Sequence, residues 1–143
     1  MRCLLVEDNP ADATLVRYAL QAVETPVELS VVEDGQAALD FLQQCAPYKS
    51  LPCPDVILLD LNLPRKNGEE VLHEIKEHPQ WKIIPVVMFT STGEPHAVRR
   101  CYMLGANAFL TKPGELEAYV AVVHTFVAFW HACQLSELGS RDT

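Results

Sequence analysis

Cys3-Leu4-Leu5-Val6-Glu7-Asp8-Asn9-Pro10 is the stretch from which the fold can be read. Four apolar residues run without a break, two acids follow, and Asn-Pro opens a helix with Asn as cap and Pro at the first helical position. A short continuous apolar run suits a strand covered on both faces, as in a parallel sheet. Similar runs recur at Val27–Val32, Val56–Leu59, Pro85–Phe89 and Ala108–Leu110. Between them lie helical patterns. Leu15, Ala19, Leu20 and Val23 make one apolar face after Asn9-Pro10. Asp34-Gly35 turns into Ala37–Leu42, Asn67-Gly68 precedes Glu69–His78, Glu94-Pro95 starts a helix that Gly105 ends, and Glu115–Cys133 is the last and longest. Five strands alternating with five helices predict an α/β domain: a doubly wound five-stranded parallel sheet with flavodoxin-like strand order. The three prolines of Ala46–Pro54 mark a long connecting loop.

Composition bounds the partners. The 143 residues are 49% hydrophobic and 21% charged, with 11 basic and 19 acidic side chains and a net charge of −8. That balance excludes nucleic acid as the main partner, because phosphate contacts need clustered Lys and Arg. No apolar run approaches the ~20 residues of a membrane helix, and the run before Glu7 is too short for a signal peptide. These features predict a cytoplasmic protein with no membrane contact. Cys3, Cys45, Cys53, Cys101 and Cys133 are odd in number and form no Cys-x-x-Cys pair, so isolated thiols are expected rather than a disulfide or zinc site. His73, His78, His96, His124 and His131 are scattered and read as surface residues.

Ligands of open α/β sheets bind beyond the carboxyl ends of the strands. The runs end there in Glu7-Asp8, Asp60, Thr90 and Lys112-Pro113. Clustered carboxylates repel one another and persist best around a hard divalent cation such as Mg²⁺. Lys112 offers a compact positive charge and Thr90 a hydroxyl, both suited to phosphoryl oxygens. Asp60 then has the surroundings of a carboxylate nucleophile.

Taken together, Val6-Glu7-Asp8-Asn9, Leu58-Leu59-Asp60-Leu61-Asn62-Leu63-Pro64, Phe89-Thr90-Ser91 and Leu110-Thr111-Lys112-Pro113 resemble response-regulator receiver domains. The resemblance implies that residues 1–135 form the receiver and 136–143 a short polar tail. It implies a phosphoacceptor at Asp60, and Mg²⁺ held by Glu7, Asp8, Asp60 and the Asn62 backbone carbonyl. Thr90 and Lys112 would hold the phosphoryl group, Thr90 and residue 109 would form the switch, and Lys112–Pro113 would be a cis bond. Phe109 stands where many receivers have Tyr, and Gly114 where Phe is common. The loop before strand three, Asn62–Gly68 and Trp81-Lys82-Ile83-Ile84-Pro85 are most similar to the stand-alone response regulators of cyanobacterial and bacterial phytochromes, which implies a phytochrome-like sensor histidine kinase as partner.

Three other readings use the same fold. A haloacid-dehalogenase-type phosphatase needs a second Asp two residues after the nucleophile, and Asn62 cannot transfer protons there. A flavin carrier needs a Ser/Thr- and Gly-rich loop where this chain has Glu7-Asp8. A phosphorylation-independent binding module would not need all five polar groups.

The last helix carries two apolar stripes at 100° per residue. Leu116, Tyr119, Val120, Val123, Val127 and Trp130 are expected to pack on the domain. Val122, Phe126, Phe129 and Cys133 are then left exposed and predict a homodimer surface, unless the polar tail covers them.

Overall fold

The computed structural model describes residues 1–45 and 52–133. Its strands are β1 (Arg2–Val6), β2 (Glu28–Val32), β3 (Val56–Leu59), β4 (Val86–Thr90) and β5 (Ala108–Thr111). Its helices are α1 (Pro10–Gln21), α2 (Gly35–Gln44), α3 (Gly68–Glu77), α4 (Pro95–Met103) and α5 (Leu116–Ala132). A single turn of 3₁₀-helix at Trp81–Ile83, which the sequence pattern did not reveal, leads into β4. All strand pairings are parallel and the order is β2-β1-β3-β4-β5, as expected.

Alternation along each strand divides the core into two layers. Leu4, Val6, Ile57, Leu59, Val86 and Met88 face α2, α3 and α4. Cys3, Leu5, Val56, Leu58, Val87 and Phe89 face α1 and α5. The central strands are buried on both faces, whereas the edge strands β2 and β5 are only half-buried.

The helix starts are held by their caps. Asn9, Asp34 and Asn67 accept from backbone amides at Ala11, Ala37 and Glu70, and Glu94 accepts from His96 and Ala97. These caps follow the carboxyl ends of strands, so they fix the loops that carry the polar rim. Gly105 ends α4 at φ 105°, a left-handed conformation that favours glycine.

Four expectations change. Cys45 and Cys53 form a disulfide, closing the end of α2 onto the approach to β3, where isolated thiols were expected. The Lys112–Pro113 bond is trans; a proline makes the cis form accessible without requiring it. His124 is half-buried, with Nε2 2.8 Å from the Ala19 carbonyl oxygen of α1. Phe126 is only 4% exposed and packs among Leu58, Phe89, Leu110 and Val123, so it belongs to the core rather than to an open stripe. Helix α5 is rotated so that Phe126 faces the sheet, while Leu116 at the start of the other stripe is exposed. The expected loop lies outside the described residues over 46–51, and the polar tail lies outside them entirely.

Candidate functional site

Each functional residue follows directly on the sheet ladder. The Glu7 amide donates to Val32 O at 2.9 Å, the Asp60 amide to Val6 O at 3.1 Å, and the Lys112 amide to Thr90 O at 2.8 Å. These bonds continue the strands by one residue and set Glu7, Asp60 and Lys112 on one rim. The strand order reverses at β1, so the rim lies at the topological switch point.

Glu7 and Asp60 are buried, Asp8 is exposed, and one carboxylate oxygen from each lies within 4.8 Å of the other two. The Lys112 ammonium, 6% exposed, stands 2.6 Å from Glu7 Oε1, 3.1 Å from Asp60 Oδ2 and 3.1 Å from Asp12 Oδ2. Asp60 Oδ1 accepts from the Asn62 amide at 3.2 Å. The Asn62 side chain turns aside and donates to Thr92 Oγ1 at 3.4 Å. Gly68 packs on the acceptor's backbone: a Cβ there would stand 2.2 Å from the Asp60 carbonyl oxygen. No side chain larger than hydrogen fits without displacing Asp60.

Electrostatics sharpen the arrangement. The Glu7 carboxyl is raised to about 7: burial pushes it up most, Lys112 pulls it back, and the Asp60 charge pushes it up again. Burial alone would lower the Lys112 pKa, but the Glu7 and Asp60 carboxylates outweigh it and raise the value. Lys112 therefore stays charged. One ammonium among Glu7, Asp8, Asp12 and Asp60 leaves the rim with excess negative charge, a donor set that fits a hard divalent cation with oxygen ligands.

Thr90 is fully buried at the end of β4, and its hydroxyl has no hydrogen-bond partner among the described residues. A buried hydroxyl without a partner is costly unless a ligand or a second conformation satisfies it. Phe109 is half-buried against the layer formed by α2, α3 and α4. Thus the structure brings Glu7, Asp60 and Lys112 to bonding distances and sets Asp8 within 4.8 Å of the two other carboxylates. It sets Thr90 one strand away, and turns the Asn62 side chain toward Thr92.

Asp12 and Tyr119 were not foreseen as part of this site. Asp12 lies in the first turn of α1, and the Tyr119 hydroxyl donates to Asp12 Oδ1 at 3.1 Å. The available signal was an acid three residues after a cap that itself follows a strand end. Tyr119 counted only as an apolar stripe residue.

Residues 3–124 match the family model described as the response regulator receiver domain. Response regulator Rcp1 of Synechocystis is 45% identical over 127 residues, covering 89% of this chain and 86% of that protein. The crystal structure of its Mn²⁺-bound form superposes with a TM-score of 0.86 at 43% identity, covering 94% of this chain and 98% of that one. The phosphorylated cyanobacterial phytochrome response regulator RcpA gives a TM-score of 0.87 at 39% identity, covering 94% and 96% of the two chains. A probable methanogenesis regulatory protein, FilR2 of Methanothrix harundinacea, is 37% identical over 89% of this chain and 81% of its own length.

Proposed function

Because the chain belongs to the response regulator receiver domain family, we propose that it is a phosphorelay regulator phosphorylated on Asp60 by a phytochrome-like sensor histidine kinase. The observation that carries this reading is the Asp60 carboxylate. It sits at the end of a buried strand, 3.1 Å from the Lys112 ammonium and grouped with Glu7 and Asp8.

In the proposed step an Asp60 carboxylate oxygen attacks the phosphorus of a phosphohistidine. The O–P bond forms, the P–N bond breaks, and the imidazole nitrogen keeps the bonding electron pair and takes up a proton. Lys112 neutralises charge on the transferred group, and the Thr90 hydroxyl gains an acceptor in a phosphoryl oxygen. Glu7, Asp8, Asp60 and the Asn62 backbone carbonyl would hold Mg²⁺, which supplies charge neutralisation at the phosphoryl oxygens. Thr90 and Phe109 form the switch in this reading: satisfying the buried hydroxyl biases β4, and Phe109 on neighbouring β5 follows. The protein passes a signal rather than turning over an external substrate, and acts in the cytoplasm.

The test is incubation with Mg²⁺ and acetyl phosphate, read by intact mass. The wild type should gain one phosphoryl group and Asp60→Asn none; equal labelling of the two would overturn the assignment.

Self-association is the second part of the proposal. Phe129 is 59% exposed beside half-buried Val122 and Trp130, and α4 exposes Tyr102 and Met103. Such apolar surface on α4 and α5 suits a two-fold contact. Phe129→Glu should give a folded monomer in sedimentation where the wild type dimerises; a wild type monomeric at high micromolar concentration, phosphorylated or not, would remove this part.

A further inference from the structure

The Lys112 ammonium has three N–H donors and meets three carboxylates, those of Glu7, Asp12 and Asp60. Its hydrogen-bonding capacity is full. Phosphorylation leaves the Asp60 carboxylate a weaker acceptor, so that contact can pass to a phosphoryl oxygen, while Glu7 and Asp12 hold the ammonium back. Glu7 makes the shortest contact, 2.6 Å, and is buried; Asp60 is the residue that carries the phosphoryl group. Asp12 is the remaining partner, and its carboxylate is the most exposed of the three.

Asp12 is not free to follow. Its second oxygen, Oδ1, accepts the Tyr119 hydroxyl at 3.1 Å. Tyr119 is 3% exposed and packs edge-on against Phe89 with ring centroids 5.3 Å apart, so this donor has a fixed position. A cleft of about 320 Å³ lined by Asp12, Ser91, Lys112 and Tyr119 leaves room for the ammonium and the carboxylate to part.

We propose that Asp12, held by Tyr119, is a positioning residue that withholds Lys112 from the phosphoryl group. The Asp12–Lys112 contact then sets how strongly the phosphorylated state is favoured, and Tyr119 ties that setting to α5. This rests on the reading of Asp60 as phosphoacceptor.

The experiment measures the dissociation constant for beryllofluoride, a phosphoryl mimic, in the presence of Mg²⁺, with circular dichroism to confirm that each variant is folded. Asp12→Asn should bind about three- to tenfold tighter, the size of losing one competing charge-assisted hydrogen bond near the surface. Asp12→Glu should return toward the wild-type value. Tyr119→Phe should tighten binding by less, because the unanchored carboxylate can follow Lys112. The double variant should bind no tighter than Asp12→Asn alone. Wild-type affinity in Asp12→Asn would overturn the proposal. So would wild-type affinity in Tyr119→Phe, since Asp12 would then act through its charge alone, and so would a double variant tighter than Asp12→Asn by the full Tyr119→Phe effect. Unchanged binding by Asp60→Asn would instead overturn the reading of Asp60, and this inference with it.

Discussion

At the amino ends of the strands, Arg2 Nε lies 3.6 Å from Glu28, with side chains 42% and 79% exposed. At the carboxyl ends, Lys112 lies 2.6 Å from Glu7, with side chains 6% and 2% exposed. Both are cation–carboxylate pairs, at opposite ends of one sheet. The first joins two largely exposed side chains, although Arg2 Nε itself is covered, and such pairs contribute about 0–1 kcal/mol. At the same end the Arg2 amide is satisfied by Asp55 and the terminal ammonium by the Pro26 carbonyl. The second is desolvated, and its single cation is outnumbered by carboxylates. A buried excess of one charge is not a stabilising device. In the function proposed above, a divalent cation offsets this excess and makes room for the negative phosphoryl group. The difference between the two ends marks which one is a site.

Removing the cation from each pair has the largest expected effect. Lys112→Met leaves Glu7 and Asp60 buried without their counter-charge, and should lower unfolding free energy at neutral pH by about 3 kcal/mol. Arg2→Met should cost less than about 1 kcal/mol. Urea unfolding of both variants measures the contrast; equal losses would mean that burial does not distinguish the ends.

Adding the missing positive charge is the next largest effect. Millimolar Mg²⁺ should stabilise the wild type by about 1–3 kcal/mol, since it binds only the folded rim, and Asp8→Asn should weaken that response. Thermal melts with and without Mg²⁺ read it, and an unchanged midpoint in the wild type would contradict a cation site.

Proton uptake is felt only within a pH window. The Glu7 carboxyl is raised from 4.5 in the unfolded chain to about 7 in the folded protein. The folded state therefore binds the proton more tightly. The resulting stabilisation is complete below pH 4.5 and is lost as pH rises through 7. Without Mg²⁺, this contribution should move the melting midpoint down by a few degrees between pH 5 and 7.5. Glu7→Gln should flatten the trend, and an identical slope in that variant would assign the pH dependence to other groups.

The strands and their ends were legible because unbroken apolar runs such as Leu4-Leu5-Val6 and Val56–Leu59 stop abruptly at Glu7 and Asp60. Local chemistry also announced the helix starts at Asn9, Asp34, Asn67 and Glu94. The partnership of Asp12 with Lys112 and Tyr119 was not legible, because it joins residues 100 and 107 positions apart through the packing of α1 on α5. The burial of Phe126 was hidden for a related reason. Two apolar stripes on one helix do not say which is turned to the sheet until the crossing of α5 is known. The Cys45–Cys53 disulfide depends on how the chain returns from α2 to β3, and spacing alone carries no record of that path.

In the proposed function the charged rim serves the phosphorylation of one carboxylate, that of Asp60. The direct measurement is reductive trapping of the acyl phosphate formed with acetyl phosphate and Mg²⁺. Borohydride converts the modified aspartate to homoserine, and peptide mass mapping then locates it. Homoserine is expected at position 60 alone, in the peptide containing Leu58-Leu59-Asp60. Homoserine at Asp8 or Asp12, or an unmodified position 60 in protein that has gained the phosphoryl mass, would contradict it.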